Sequence, residues 1–260
     1  MTPELKYVNS NIEVCIFGKS LKDYITEKIP EKQLMQQKEF LSNYFKIPQE
    51  RIFFLEQVHG FDCIHINEYD LKLNQKLLYH KADGMITGLK NVLLCIRTAD
   101  CLPLFFHTNP YKENKFIGIL HAGWRGIYRG IITNSLQLMK HNVEKMIYEY
   151  KVIKKLPNYE EKIGYPITVF PGIYIPSLLY EVDWDIAQLF PVVKPKNNEN
   201  KFLLDLWKNT EFIIKSIKDI QFQIEDPFHY LNGNQIDFYK NFYSHRRGEP
   251  FRNLNVIYLK

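Results

Sequence analysis

The chain has 260 residues, of which 45% are hydrophobic and 24% charged, with a formal net charge of +5. That length can bury a full core, and the balance is that of a globular protein rather than a disordered or collagen-like one. The basic residues are scattered, with no block of about five or six like charges, so no nucleic-acid partner is expected; a mild positive balance suits an anionic substrate but equally suits an ordinary solvated surface.

In chain order, residues 13–17 read as a strand, and residues 31–46 as a helix with Leu34, Phe40, Leu41, Tyr44 and Phe45 as its apolar positions. Short apolar runs follow at 51–55, 63–66, 84–87, 92–96, 102–106 and 116–120, each predicted as a strand. The runs 92–96 and 116–120 are almost continuously apolar, the pattern of strands covered on both faces. Residues 128–150 predict a helix, because Ile132, Leu136, Met139, Val143, Met146, Ile147 and Tyr150 form one stripe. The polar stretches 151–165 and 197–201 read as loops. A second helix is predicted over 205–220, with Asp205 placed to cap it, and a final strand over 255–259. Strands first and last, with helices interleaved late, predict a single α/β (α+β) layered domain spanning residues 1–260.

The start of the chain has no basic segment leading into an apolar one, so no signal peptide is expected. No apolar run approaches the length of a membrane span. The four cysteines, Cys15, Cys63, Cys95 and Cys101, form no C-x-x-C pair. A disulfide framework is therefore not expected, and a reduced, cytoplasmic setting is.

Three stretches place soft or borderline ligands beside strand-like runs: Gln57-Val58-His59-Gly60, Thr98-Ala99-Asp100-Cys101-Leu102-Pro103-Leu104 and His121-Ala122-Gly123-Trp124-Arg125-Gly126. Each residue alone has a plainer account. His59 and His121 could be turn histidines, and Cys101 a small buried hydrophobe. Together, His59, Cys101 and His121 make a three-ligand zinc set that leaves a fourth position open for water. A nucleophilic Cys101 activated by one of the histidines is a rival reading. The turn after His121 leads into a predicted helix, whose N–H groups, with Arg125, would suit an anion. Near the C-terminus, Tyr243-Ser244-His245-Arg246-Arg247 sets two arginines beside a serine, a pattern suited to phosphate or carboxylate. His245 is a further candidate ligand.

These stretches, with Ala82-Asp83-Gly84-Met85-Ile86-Thr87, Tyr180-Glu181-Val182 and Asp205-Leu206, resemble the laccase-domain family, also called YfiH-type multicopper polyphenol oxidase-like proteins. The match runs in order from about residue 51 to the end, and the HAGWRG and TADC elements are its specific parts. The resemblance implies an α/β/β/α layered fold with mixed sheets and zinc held by His59, Cys101 and His121. It also implies a purine nucleoside phosphorylase acting on adenosine, inosine and methylthioadenosine, with adenosine deaminase activity. For such chemistry Asp100, the carboxylate nearest in sequence to Cys101, is the candidate proton carrier, and Arg125, Ser244 and Arg247 are the candidate substrate and phosphate residues. A copper polyphenol oxidase is the first alternative, but the chain has no H-x-H pair and its ligand set suits zinc better. An inactive nucleoside-binding protein is the second. The chain departs from the family pattern at residues 17–22, where a Gly-Gly-Val-Ser type loop is usual. It departs again at Leu179, where Cys often precedes Tyr-Glu-Val, and at 227–230, where Cys-Thr is usual.

Overall fold

The computed structural model of the chain describes residues 2–9, 11–27, 29–74, 80–111, 114–153, 165–196, 200–228 and 235–260. The first half contains β1 (Leu5–Asn9), β2 (Ile12–Phe17), α1 (Pro30–Phe45), β3 (Ile52–Phe54), β4 (Cys63–His65), α2 (Glu68–Asn74), β5 (Gly84–Thr87), β6 (Leu93–Thr98), β7 (Leu102–Tyr111) and β8 (Asn114–Ala122). Then come α3 (Trp124–Arg129), α4 (Ile131–Ile153), β9 (Ile167–Pro171), β10 (Glu181–Asp183), α5 (Trp184–Ala187), β11 (Val193–Lys196) and β12 (Lys201–Leu204). The chain finishes with α6 (Leu206–Ser216), β13 (Phe222–Ile224), α7 (Gln235–Tyr239) and β14 (Asn253–Leu259).

Two mixed sheets form the middle of a four-layer α/β/β/α stack. One runs β1-β2-β14-β6-β3 and the other β13-β9-β7-β8-β5-β4. Strand alternation builds the layers. In the first sheet, Val14, Ile16, Leu94, Ile96 and Ile257 face inward and meet Phe105, Ile117, Ile119 and Phe170 of the second. Their neighbours Cys15, Phe17, Leu93, Cys95 and Val256 face outward onto Leu34 and Leu41 of α1. On the far side, Leu104, Phe106 and Leu120 face Ile132, Leu136, Met139 and Val143 of α4 and Ile214 of α6. The inner strands are covered on both faces, which is why 92–96 and 116–120 carry almost no polar residues.

Two helix boundaries differ from expectation. The helix predicted from residue 128 begins at Ile131, because Gly130 at φ 96° closes the separate short helix α3. At its other end α4 runs to Ile153, into the stretch expected as a loop; the rest of that stretch, 154–164, lies outside the described residues, as do 197–199 and 229–230. The helix predicted to residue 220 ends at Ser216, and Ile217 is extended. The chain turns there so that Asp219 accepts from Lys140 Nζ at 2.7 Å and Gln137 Nε2 at 3.1 Å on α4. Asp205 caps α6, accepting from the Lys208 N–H at 3.0 Å. β1 and β9 to β13 were not expected from the sequence. The small sheet β10-β12-β11 is partly exposed and partly polar, with little alternation to mark it.

Candidate metal centre

Strand register assembles the site. His121 on β8 lies opposite Pro103 of β7, and Ala122 opposite Leu102, so Cys101 falls beside the end of β8. On the other side of β8, Gly84 pairs with Leu120. Asp83 is thereby level with His121, whose backbone N–H donates to the Asp83 carbonyl at 2.7 Å. β4 runs parallel to β5, and the loop entering it carries His59. That loop packs closely on α3: a Cβ at Gly126 would stand 2.8 Å from the Gly60 carbonyl oxygen.

Asp83 is fully buried and ties these segments together. It accepts from the N–H groups of Val58 (3.1 Å), His59 (3.1 Å) and Gly60 (2.7 Å), and lies 2.7 Å from His121 Nδ1. An ionised carboxylate only accepts, so Nδ1 donates and Nε2 is left for a ligand. Burial alone would raise the Asp83 pKa, but the His121 hydrogen bond and the Gly60 and Val58 amides outweigh it and hold it below the usual carboxylate range. A carboxylate fixing an imidazole in this way is the usual support of a metal-binding histidine.

The ligand atoms of His59, Cys101 and His121 all lie within 4.8 Å of one another, with Cys101 Sγ 4.0 Å from His59 Nε2. A tetrahedral ion with bonds of about 2.0–2.3 Å holds its ligands roughly 3.3–3.8 Å apart, so a modest side-chain closure brings the three to bonding distance. Burial would raise the Cys101 pKa, but His121 and His59 pull it below the usual thiol range. Burial would lower that of His121, but Cys101 and Asp83 raise it. A thiol drawn toward its thiolate form beside two imidazoles is a donor set for a borderline cation. His59 and Asp100 both hold positive φ, at 55° and 89°, and strained non-glycine backbone of this kind clusters at functional sites.

Asp100 is spent on anchoring. Its carboxylate accepts from the Tyr239 hydroxyl and, at 2.9 Å, from the Arg246 N–H. The C-terminal turn is thus drawn to the residue beside Cys101. Ser244 is buried, with its N–H on Glu249 Oε2 at 2.7 Å and its Oγ accepting from the Arg247 N–H at 3.2 Å. The Arg247 guanidinium donates to the Phe242 carbonyl and to Glu249 (3.1 Å), and lies over the Tyr239 ring at 4.7 Å. Arg246 instead lies over Tyr180, 4.8 Å from the ring centroid. Burial and the nearby Cys101 push the Tyr180 phenol up to about 12, against the opposing charges of Arg246 and Arg125. Arg125 itself is exposed on α3, over Trp124 at 4.4 Å. His245 lies exposed, outside the ligand cluster. The loop that departs from the family pattern joins the same turn, through the Lys19–Glu249 ion pair at 2.6 Å.

Sequence reasoning gave no role to Asp83, Tyr180, Tyr239 or Glu249, and it read Arg246 only as one of a pair of arginines suited to an anion. Asp83 carried a signal, as a carboxylate standing immediately before the apolar run that becomes β5. Tyr239 and Glu249 carried none, because their partners lie on other elements.

In overall fold the chain is similar to the Neisseria meningitidis protein NMB0706 (TM-score 0.69, 19% identity, 98% of each chain covered). It is also similar to the Bacillus licheniformis hypothetical protein YfiH (TM-score 0.64, 18% identity, 96% of this chain and 93% of that one). In sequence it is 27% identical to a purine nucleoside phosphorylase of Rickettsia conorii over 96% of both chains. It is 30% identical to one of Rickettsia prowazekii over 82% of this chain and 80% of that one. The multi-copper polyphenol oxidoreductase laccase family model matches residues 28–260, a span that holds His59, Cys101 and His121, and the chain belongs to that family.

Proposed function

We propose that the chain, working as one domain over residues 1–260, is a cytoplasmic, zinc-dependent purine nucleoside phosphorylase that also deaminates adenosine. The carrying observation is the gathering of His59, Cys101 and His121 around one point, with Asp83 fixing His121 from behind. The substrate class follows from the names of the two rickettsial relatives. His59, Cys101 and His121 would hold a zinc ion, which would supply Lewis acidity.

The surrounding residues divide the remaining work. Arg125 and Arg246, like Cys101, lie near enough to Tyr180 to act on its charge, and the two arginines would bind phosphate and neutralise its charge as an oxygen attacks ribose C1′ and the bond to the purine breaks. Asp100, Ser244 and Arg247 hold the turn that presents Arg246; their hydrogen bonds make them positioning residues, and Arg247 is a less direct phosphate ligand than the sequence suggested. In deamination, water replaces the amine at C6 of adenine and needs no phosphate.

Elemental analysis and a product assay with adenosine test the reading. Zinc, with adenine and ribose 1-phosphate formed only when phosphate is present and inosine formed without it, is the expected result. Copper with dioxygen-dependent turnover would favour a phenol oxidase, and nucleoside binding without turnover a binding protein. Activity that survives removal of the metal would favour a Cys101 nucleophile.

A further inference from the structure

A cavity lies on the far side of Tyr239, the residue whose hydroxyl donates to Asp100 beside Cys101. It has a volume of about 460 Å³, within the range of small-molecule sites. Five aromatic residues line it: Tyr174, Trp207, Phe228, Phe238 and Tyr239. Phe228 and Tyr239 are buried, so this wall is set by the core rather than by loose surface side chains. Three carboxylates, Asp205, Glu211 and Asp226, share the lining with one cation, Lys208. Asp205 gives one oxygen to the α6 cap, and Glu211 has Lys215 at 3.9 Å on its own helix. Burial, and after it the charges of Asp205, Asp226 and Glu211, push the Tyr174 phenol well up.

We propose that this cavity is a second binding site, for an organic cation whose ammonium head meets the carboxylates and whose apolar body lies on the aromatic wall. Aromatic faces attract cations, most strongly when water is excluded, and carboxylates beside them add attraction of the same sign. Phosphate and other anions are repelled by the same wall, so the site is complementary in charge to the arginine-rich side of the metal centre. The proposal does not rest on the zinc or phosphorylase reading.

Isothermal titration calorimetry at low ionic strength tests it with three probes sharing a phenyl ring: benzyltrimethylammonium, benzyl alcohol and benzenesulfonate. The cation should bind saturably, the alcohol about tenfold more weakly, and the sulfonate not at all. Glu211→Gln and Asp226→Asn keep side-chain shape, and each should weaken the cation several-fold while leaving the alcohol unchanged. Thermal unfolding of each variant verifies that it is folded. The proposal is overturned by equal affinity for cation and alcohol, by no saturable binding, or by unchanged cation affinity in both variants. Displacement of the cation by inosine would assign the cavity to the nucleoside and overturn it too.

Discussion

Replacing Asp83 by Asn keeps the shape of the side chain and removes its charge. The three backbone N–H groups of residues 58–60 and His121 Nδ1 all converge on that carboxylate, and an amide nitrogen cannot accept from them. Zinc affinity should fall about 10- to 100-fold, the usual cost of losing a carboxylate behind a metal-binding histidine. Stability should fall by about 1–3 kcal/mol, the cost of an unsatisfied buried group. Chelator competition and urea unfolding measure the two; unchanged affinity would make Asp83 a loop clamp alone. Cys101→Ala should lose the ion on gel filtration and keep the fold, since Cys101 is the one thiolate of the cluster. A variant that still carries stoichiometric zinc would return Cys101 to the core. The clustering of His59, Cys101 and His121 was legible in the sequence because each stands at the edge of an apolar run. The supporting residues were not, because a hydrogen bond such as that between Tyr239 and Asp100 spans 139 positions and leaves no local pattern.

At the level of elements, the strands were legible where alternation or continuous burial marked them, as in β2, β6 and β8. β9 has an apolar run of the same kind, Ile167 to Phe170, that passed unread between two less regular stretches. The exposed small sheet and the break at Gly130 depend on contacts and backbone angles that composition does not encode. β1, β2 and β14 are also held by charge. Glu13, buried on β2, receives Lys6 of β1 and Lys260 after β14, each at 2.6 Å. Burial would raise the Glu13 pKa, but Lys260 and Lys6 outweigh it and lower it. A lowered folded-state pKa contributes stability above the ordinary carboxylate value and loses it as pH falls through the folded value. Glu13→Gln should therefore cost about 1 kcal/mol or less at neutral pH, given the exposure of both lysines, and should flatten the acid limb of the stability curve below about pH 4. Parallel curves for wild type and variant over that limb would remove Glu13 from the acid response. Gly126→Ala probes a different junction. Its methyl group would press the Gly60 carbonyl at 2.8 Å, so the His59 loop must shift, and zinc affinity should fall more than overpacking of about 1–3 kcal/mol alone implies. Unchanged affinity in a destabilised variant would separate α3 from the ligand geometry.

Across the whole molecule, His59, Cys101 and His121 come from the loop before β4, the turn before β7 and the end of β8, and only the folded chain brings them together. An ion bound by all three therefore favours the native state by mass action. At a free ion concentration 100 times the dissociation constant, the gain is about 2.7 kcal/mol. For a chain of this size that corresponds to a rise of roughly 5–10 °C in the unfolding midpoint. Such an ion would also join the two halves of the six-stranded sheet, β4 and β5 on one side of β8 and β7 on the other. Stripping with a chelator should lower the midpoint by that amount, and stoichiometric zinc should restore it, while Cys101→Ala should respond to neither. The same scans with copper test the oxidase alternative on the same residues, because the more stabilising ion is the one whose geometry the folded cluster accepts. A wild-type midpoint indifferent to chelator and to both ions would mean that the three side chains meet for packing alone, and the zinc assignment would fall with it.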